Sequence, residues 1–421
     1  MPTSATTIGA LSAIYNTDSP QASLLPPWEY PRAAYVHIPF CAHRCWYCDF
    51  AVVVARKDLV HAYLLALQKE LARLGSQQPV RSVFIGGGTP TLLDPPDLER
   101  LLDLVRHWFP PDGDAEWSIE ANPGDLTTEK ICLLAEKGIN RVSVGVQSFQ
   151  PHLLRFLERD HDPALVMEGV YRLVRVIPNV SVDLIFGVPS QSLGQWEQDL
   201  HQACALGVQH VSTYGLTYEK GTRLWKSMRA GRVVPLDEGL ERDMYALAMD
   251  LLQRYGFEQY EISNFARAGY RCRHNEVYWA NDAYFGVGLG AARYVHGRRQ
   301  VNTRSLHTYI ERLEAGLDPT QTTEELTPIE RARETAMLQL RRCQGILRAD
   351  FRLRTGFDLD RLCRRAIVRM TTRGLVTDTG QAVALTREGR FIADYVCGVF
   401  WNSSALGDAP SSIADVVRTD P

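Results

Sequence analysis

The sequence predicts an α/β protein: a partial (β/α)6 barrel followed by a smaller winged-helix-like α+β module. Three observations predict it. Six short β-branched apolar runs alternate with longer amphipathic stretches, and polar or glycine-rich residues punctuate the end of almost every run. The last hundred residues then change character, to arginine-rich helix patterns, a hairpin and a helix. Strands in series with helices build a parallel sheet covered by those helices. In barrels of this kind, chemistry sits at the carboxyl ends of the strands.

Taken in order, residues 1–30 are rich in Ser, Thr, Ala and Pro without a period, and a loose arm is expected there. Residues 31–235 hold the barrel. Its strands are expected over 34–38, 82–85, 117–121, 141–146, 180–186 and 208–214, where near-continuous apolar runs argue for buried strands. Helices are expected over 59–74, 97–109, 128–136, 164–174 and 195–205. Residues 236–325 form an extension expected to pack on the barrel, with a long helix over 238–255 and then a stretch dense in aromatics, Asn and Gly. The module over 326–400 takes helices at 328–342 and 359–373, a hairpin of 375–376 with 382–385 around Thr379-Gly380, and a final helix at 387–397. A small polar tail, 401–421, closes the chain.

Composition narrows the function classes. Lys plus Arg number 46 against 49 Asp plus Glu, for a net charge of −3, so bulk charge gives no support to a nucleic-acid partner. No apolar run approaches the ~18 residues a membrane span needs. The first 31 residues carry no Lys or Arg and so lack the basic start of a secretory signal; the cytoplasm is the expected location. A transient membrane association and a homodimer both stay open. Nine cysteines, six of them scattered singly, are not a disulfide framework.

The other three cysteines lie within eight residues. Cys41, Cys45 and Cys48 form a C-x3-C-x2-C run just after the first strand, with loops long enough to turn three sulfurs toward one site. Soft thiolates suit zinc, which needs a fourth ligand such as His37 or His43, and they suit an iron–sulfur cluster. Gly86-Gly87-Gly88-Thr89-Pro90 follows the second strand, where glycine lets backbone groups approach a ligand closely.

These segments resemble one family. The cysteine run is similar to that of the radical SAM superfamily, in which three cysteines hold a [4Fe–4S] cluster and S-adenosylmethionine (SAM) completes it. Tyr35-Val36-His37-Ile38-Pro39-Phe40-Cys41, the glycine run, Ser118-Ile119-Glu120 with Asn122-Pro123, and Val144-Gly145-Val146-Gln147-Ser148-Phe149 carry the resemblance further. So do Arg159 with His161 and the run from Val182 to Pro189. Together they resemble the oxygen-independent coproporphyrinogen III oxidases and their HemW-type relatives, which are haem chaperones. The resemblance implies a radical SAM barrel with Cys41, Cys45 and Cys48 on the cluster. It implies SAM contacts from Tyr35, Tyr47, Gly87, Gly88, Thr89, Glu120, Gln147, Arg159 and Asp183, and a weaker one at Gly215.

Two features favour the chaperone type within this resemblance. The oxidases place a fourth cysteine two residues after the third, where this chain has Phe50. His274-Asn275-Glu276-Val277-Tyr278-Trp279 reproduces the H-N-x-x-Y-W motif of the chaperones, which is associated with haem. The resemblance thus marks 236–325 as haem-associated. His274 is the candidate axial ligand, with Cys272 as an alternative thiolate and Tyr278 and Trp279 as aromatic contacts. It further implies delivery of haem to acceptor haemoproteins, such as respiratory ones; the competing reading is radical decarboxylation of coproporphyrinogen III. Gly286-Val287-Gly288-Leu289-Gly290-Ala291 mimics a dinucleotide fingerprint but lacks the βαβ setting. Arg364, Arg365 and Arg369 are read as a solvated face rather than a DNA contact.

Overall fold

The computed structural model describes residues 29–54, 56–159 and 162–403. Nearly all of the expected arm, all but the start of the expected tail, and His161 lie outside the described residues. The chain forms two compact units: Met1–Tyr278 with Asp282–Glu325, and Trp279–Asn281 with Leu326–Pro421.

The first unit alternates strand and helix: β1 (Ala33–Ile38), α1 (Val60–Ala72), β2 (Val80–Gly87), α2 (Pro95–Trp108), β3 (Pro111–Ala121), α3 (Thr128–Glu136), β4 (Arg141–Gln147), α4 (Pro163–Val174), β5 (Asn179–Phe186), α5 (Leu193–Ala205) and β6 (His210–Gly215). A long helix, α6 (Glu238–Arg254), precedes β7 (Glu258–Gln259), β8 (Asn264–Ala266), α7 (Arg273–Ala280) and β9 (Phe285–Val287). The strands form one nine-stranded sheet in the order β9-β1-β2-β3-β4-β5-β6-β8-β7. The first seven in that order run parallel; β8 and β7 continue antiparallel. This is the partial barrel that the sequence predicts, extended at both edges by strands from the stretch expected only as an extension. A three-stranded antiparallel sheet of β10 (Ala292–Val295), β11 (Arg298–Asn302) and β12 (Thr320–Glu325), with α8 (Leu306–Glu314) between the last two, completes the unit.

The strands do not read as expected in one respect, and the difference makes the site. Side chains alternate faces along a strand, and the registers Tyr35↔Phe84, Phe84↔Ser118, Glu120↔Ser143, Gly145↔Asp183 and Asp183↔Ser212 align one face across six strands. That face carries Glu116, Ser118, Glu120, Arg141, Ser143, Ser181, Asp183, His210, Ser212 and Tyr214. The opposite face, with Val36, Val83, Ile85, Ile119, Val142, Val144, Val182 and Val211, is fully buried and apolar. The runs are therefore alternating rather than continuously apolar.

The second unit runs α9 (Pro328–Leu340), β13 (Ile346–Leu347), α10 (Arg348–Thr355), α11 (Leu359–Thr372), β14 (Val376–Asp378), β15 (Ala382–Leu385) and α12 (Ala393–Trp401). Thr327 and Glu330 cap α9 reciprocally, with proline at its first turn. The sheet order β13-β15-β14 and the preceding helices give the winged-helix-like module. The highly charged α10 escaped the periodicity. The expected final helix is split at Ile392 (φ −127°, ψ 40°), where Gly389 packs so closely on the Leu375 carbonyl that a Cβ would sit 1.9 Å from its oxygen.

Candidate functional site

Beyond β1 the chain turns through Phe40–Cys41, a two-residue strand paired in parallel with Val53–Val54, which folds the cysteine loop back on itself. Cys41, Cys45 and Cys48 are all free thiols of intermediate exposure. Trp46 fastens the loop: its carbonyl accepts from the Leu224 N–H at 3.1 Å, and its ring meets Phe156 edge-on at 5.2 Å. Trp46 and Tyr47 both pack against a cluster that includes Leu153, Leu157, Ile185 and Leu224. Burial raises the Cys41 thiol to about 11 despite the Thr89 hydroxyl 3.7 Å away, and it raises Cys48 too. The Arg159 guanidinium donates from Nη1 to Cys45 Sγ at 3.5 Å.

Among the described residues no three His, Cys, Asp or Glu side chains converge as a single metal ion requires. His37 offers nothing to such a site. Its Nε2–H must donate to the Ala51 carbonyl (2.8 Å), so Nδ1 accepts from the Tyr35 hydroxyl (2.9 Å), and burial holds the ring neutral, with a pKa of about 4. His43 Nε2 meets the Glu158 carbonyl and also lies 3.9 Å from Cys45 Sγ. Three thiols free of disulfides, one of them beside a guanidinium, are a donor set that suits an iron–sulfur group.

The glycine run is tight against β1. Gly87 has φ +105°, and a Cβ there would lie 2.2 Å from the His37 ring; at Gly88 it would lie 2.7 Å from the Ile38 and Phe40 carbonyl oxygens. The N–H groups of Gly88 and Thr89 bond those two carbonyls at 2.8 Å each. The N–H of Gly87 instead reaches the Glu120 carboxylate at 2.8 Å.

Glu120, Gln147, Arg159 and Asp183 come together around one chamber at the carboxyl ends of the strands. Protein encloses each of them, yet each keeps some accessible surface, and Tyr214 on the same face keeps 42 %. The strands thus surround an open space instead of the layered core of a filled barrel. Gln147 sits at φ 67°, a conformation non-glycine residues seldom adopt, at a register shift between β4 and β5. Arg159 is held by the Gly145 carbonyl (2.7 Å) and Asn122 Oδ1 (3.1 Å), while its Nε is buried without a partner. That orphaned donor suits an anionic ligand group. Burial lifts the Glu120 carboxyl to about 7, the nearby Asp183 charge adding to it, while the Gly87 N–H and Arg141 pull it back.

Asp183 ends a chain of hydrogen bonds that all point one way. Because Ser181 gives its hydrogen to Asp183, it accepts from His210 Nδ1–H (2.7 Å). Nε2 of the neutral ring then accepts from the Tyr260 hydroxyl (2.9 Å), which in turn accepts from the Cys272 N–H (3.3 Å). Ser143 reaches both Asp183 oxygens at 3.1 and 3.0 Å, and Ser212 adds another bond. Sequence reasoning missed Glu116, Arg141, Ser143, Ser181, His210 and Tyr260. The signal for most of them was a polar residue at every second strand position.

The candidate haem ligands lie deeper than expected. His274 is 1 % exposed, and both ring nitrogens are engaged, Nδ1 with Ser82 (3.1 Å) and Nε2 with Tyr278 (2.9 Å). Burial lowers its pKa to about 3 and raises the fully buried Cys272 thiol to about 12. Glu116 on β3 binds the start of α7 from below, accepting from the N–H groups of Arg273 (3.0 Å) and His274 (3.2 Å). The ring of Tyr278 stands 4.9 Å from that of His274 and 4.7 Å from Tyr284. In this conformation neither His274 nor Cys272 is presented to an outside ligand. Trp279 belongs to the second unit, where the Arg341 guanidinium lies 5.3 Å over its ring. Phe50, by contrast, is 61 % exposed at the end of the cysteine loop.

Comparison with known proteins bears on this arrangement. Residues 35–203 match the model of the radical SAM superfamily, and residues 326–392 match that of the HemN C-terminal domain. Heme chaperone HemW of Bacillus subtilis (strain 168) is 37 % identical over 375 residues, covering 88 % of this chain and 99 % of the relative. Heme chaperone HemW of Lactococcus lactis is 34 % identical over 360 residues, covering 85 % and 94 %. The fold is similar to that of the Escherichia coli coproporphyrinogen III oxidase HemN, with a TM-score of 0.79 and 22 % identity over 91 % of this chain and 92 % of that one. The chain belongs to the radical SAM family of oxygen-independent coproporphyrinogen III oxidase-like proteins, on its HemW-type branch.

Proposed function

We propose that this protein is a haem chaperone that carries a [4Fe–4S] cluster on Cys41, Cys45 and Cys48, binds SAM in the strand chamber, and passes haem to acceptor haemoproteins in the cytoplasm. Phe50 carries the choice between chaperone and oxidase: an exposed phenylalanine stands where the oxidases place a fourth cysteine. Two relatives named as haem chaperones, matched over nearly their whole length, support the same choice.

When bound, the cluster and SAM supply one-electron chemistry at a sulfonium centre. The chain's own residues bind and orient. Arg159, with a free buried Nε beside Cys45, suits the ligand carboxylate. Glu120 and Asp183 suit an ammonium group or ribose hydroxyls, Tyr35, Tyr47, Gln147 and the Gly87-Gly88-Thr89 turn line the remainder, and Gly215 stands at the end of β6. His274, Cys272, Tyr278 and Trp279 remain the haem candidates on motif grounds, with one condition. Ligation by His274 or Cys272 requires α7 to unhook from Glu116 and Ser82.

The test is anaerobic incubation of reconstituted protein with coproporphyrinogen III, SAM and a strong reductant, beside a haem titration. The expected result is stoichiometric haem binding, transfer of haem to an apo-haemoprotein, and no protoporphyrinogen IX. Appearance of protoporphyrinogen IX makes the protein an oxidase and overturns the reading.

A further inference from the structure

The inner face of the barrel holds more acid than base. Glu116, Glu120 and Asp183 share it with one interior guanidinium, Arg141; Arg159 stands at the rim beside Cys45. The three histidines on this side, His37, His210 and His274, are kept uncharged by burial and add no compensating charge. Arg141 is 2 % exposed and has neither Nε nor Nη1 hydrogen-bonded, and Arg159 Nε is likewise buried without a partner. The enclosed space is thus lined by polar groups whose hydrogen bonds are incomplete, as a ligand chamber is.

Glu120 and Asp183 differ sharply in what they receive. Asp183 collects hydroxyl donors from Ser143, Ser181 and Ser212, the second backed by the directed chain from Cys272 through Tyr260 and His210. Burial raises the Asp183 carboxyl as it does that of Glu120, but these donors and the Arg141 charge work against the shift. Donors converging on a carboxylate stabilise its charged form. Glu120 receives one backbone N–H, from Gly87. The other groups facing it are Tyr35 from β1, Asp183 from β5, Tyr214 from β6, Tyr278 from α7, and Arg141, whose charge is shared with Glu116 and Asp183. Two carboxylates in one enclosure, with Ser143 in register beside Glu120 and bonded to Asp183, do not both ionise cheaply.

We propose that Glu120 holds a proton while the chamber is empty of cations, and that a ligand bringing an ammonium group to Glu120 expels that proton as it binds. The proposal rests on the SAM reading above and deepens it: the same carboxyl that recognises the cation makes recognition sensitive to pH. The proton leaves to solvent, and the ligand's positive charge takes its place. With the Glu120 carboxyl near 7 in the empty chamber, affinity for the cation climbs up to about tenfold per pH unit below that value and levels off above it. Selection follows too, since a neutral adenosine thioether lacking the amino-acid arm cannot take the proton's place.

Calorimetric titration of full-length, cluster-reconstituted, unreduced protein tests this, run at each pH in two buffers that hold that pH and differ in ionisation heat (phosphate and Bis-Tris near pH 6, Tris and Bicine near pH 8.5), so that the difference reports protons released. SAM is expected to release up to about one proton near pH 6 and few near pH 8.5. 5′-Methylthioadenosine is expected to release none, and Glu120→Gln to bind SAM more weakly with no proton released. SAM binding without proton release at low pH, or release that persists in Glu120→Gln, overturns this inference and leaves SAM binding standing. No SAM binding at any pH overturns both.

Discussion

Arg159 shows how much one side chain can organise: its two terminal nitrogens tie Cys45, Asn122 and Gly145 together across three segments of the chain. The cysteines were legible from sequence because their chemistry is local; three soft donors within eight residues define a pattern before any folding is known. Cys41→Ala, Cys45→Ala and Cys48→Ala are each expected to abolish the visible iron–sulfur absorption after reconstitution, and retention of full absorption by any one would remove that residue from the cluster. His274 was legible as a motif but not as an environment, since its partner Ser82 lies 192 residues away. Removing its ring strands two buried hydroxyls and leaves a cavity, at a cost of roughly 2–4 kcal/mol. His274→Ala should therefore lower the unfolding midpoint in denaturant. A haem titration of the same sample decides its second role: unchanged midpoint with lost haem affinity would make His274 a ligand rather than a support.

At the scale of elements, the expected strands and helices of the barrel appear near their expected positions, because period and turn residues are written locally. The alternation along each strand was equally local, yet its meaning was not. A polar residue at every second position signals an inner wet face only once neighbouring strands are known to be in register. The joins between elements were invisible for the same reason. Glu70 on α1 is an example: it accepts from the Gly288 N–H (2.7 Å), Asn302 Nδ2 (2.6 Å) and the Tyr309 hydroxyl (2.5 Å), pinning the turn after β9 to β11 and α8. Gly288 is required in that turn, at φ +101° with a Cβ position only 2.5 Å from the His37 carbonyl oxygen. The supposed dinucleotide fingerprint is this close approach. Glu70→Ala strands three buried donors and is expected to cost roughly 3 kcal/mol or more. Urea unfolding measures it, and a loss under 1 kcal/mol would mean that water replaces the carboxylate.

The molecule as a whole is bounded by a pairing that sequence patterning cannot foresee: β1, which opens the barrel, lies beside β9, with Ala34 opposite Phe285 and Val36 opposite Val287. That adjacency has a consequence for the order of assembly. A strand made at the start waits for a neighbour about 250 residues downstream, and at typical synthesis rates that is on the order of 10–50 s. Such distant contacts slow folding because the chain entropy is lost before the pairing is gained. Throughout that interval the cysteine loop, attached to the unpaired edge of β1, has its thiols on an unfinished wall. Nascent chains ending before residue 285 should therefore show their cysteines to a thiol-alkylating reagent far more readily than chains released at full length.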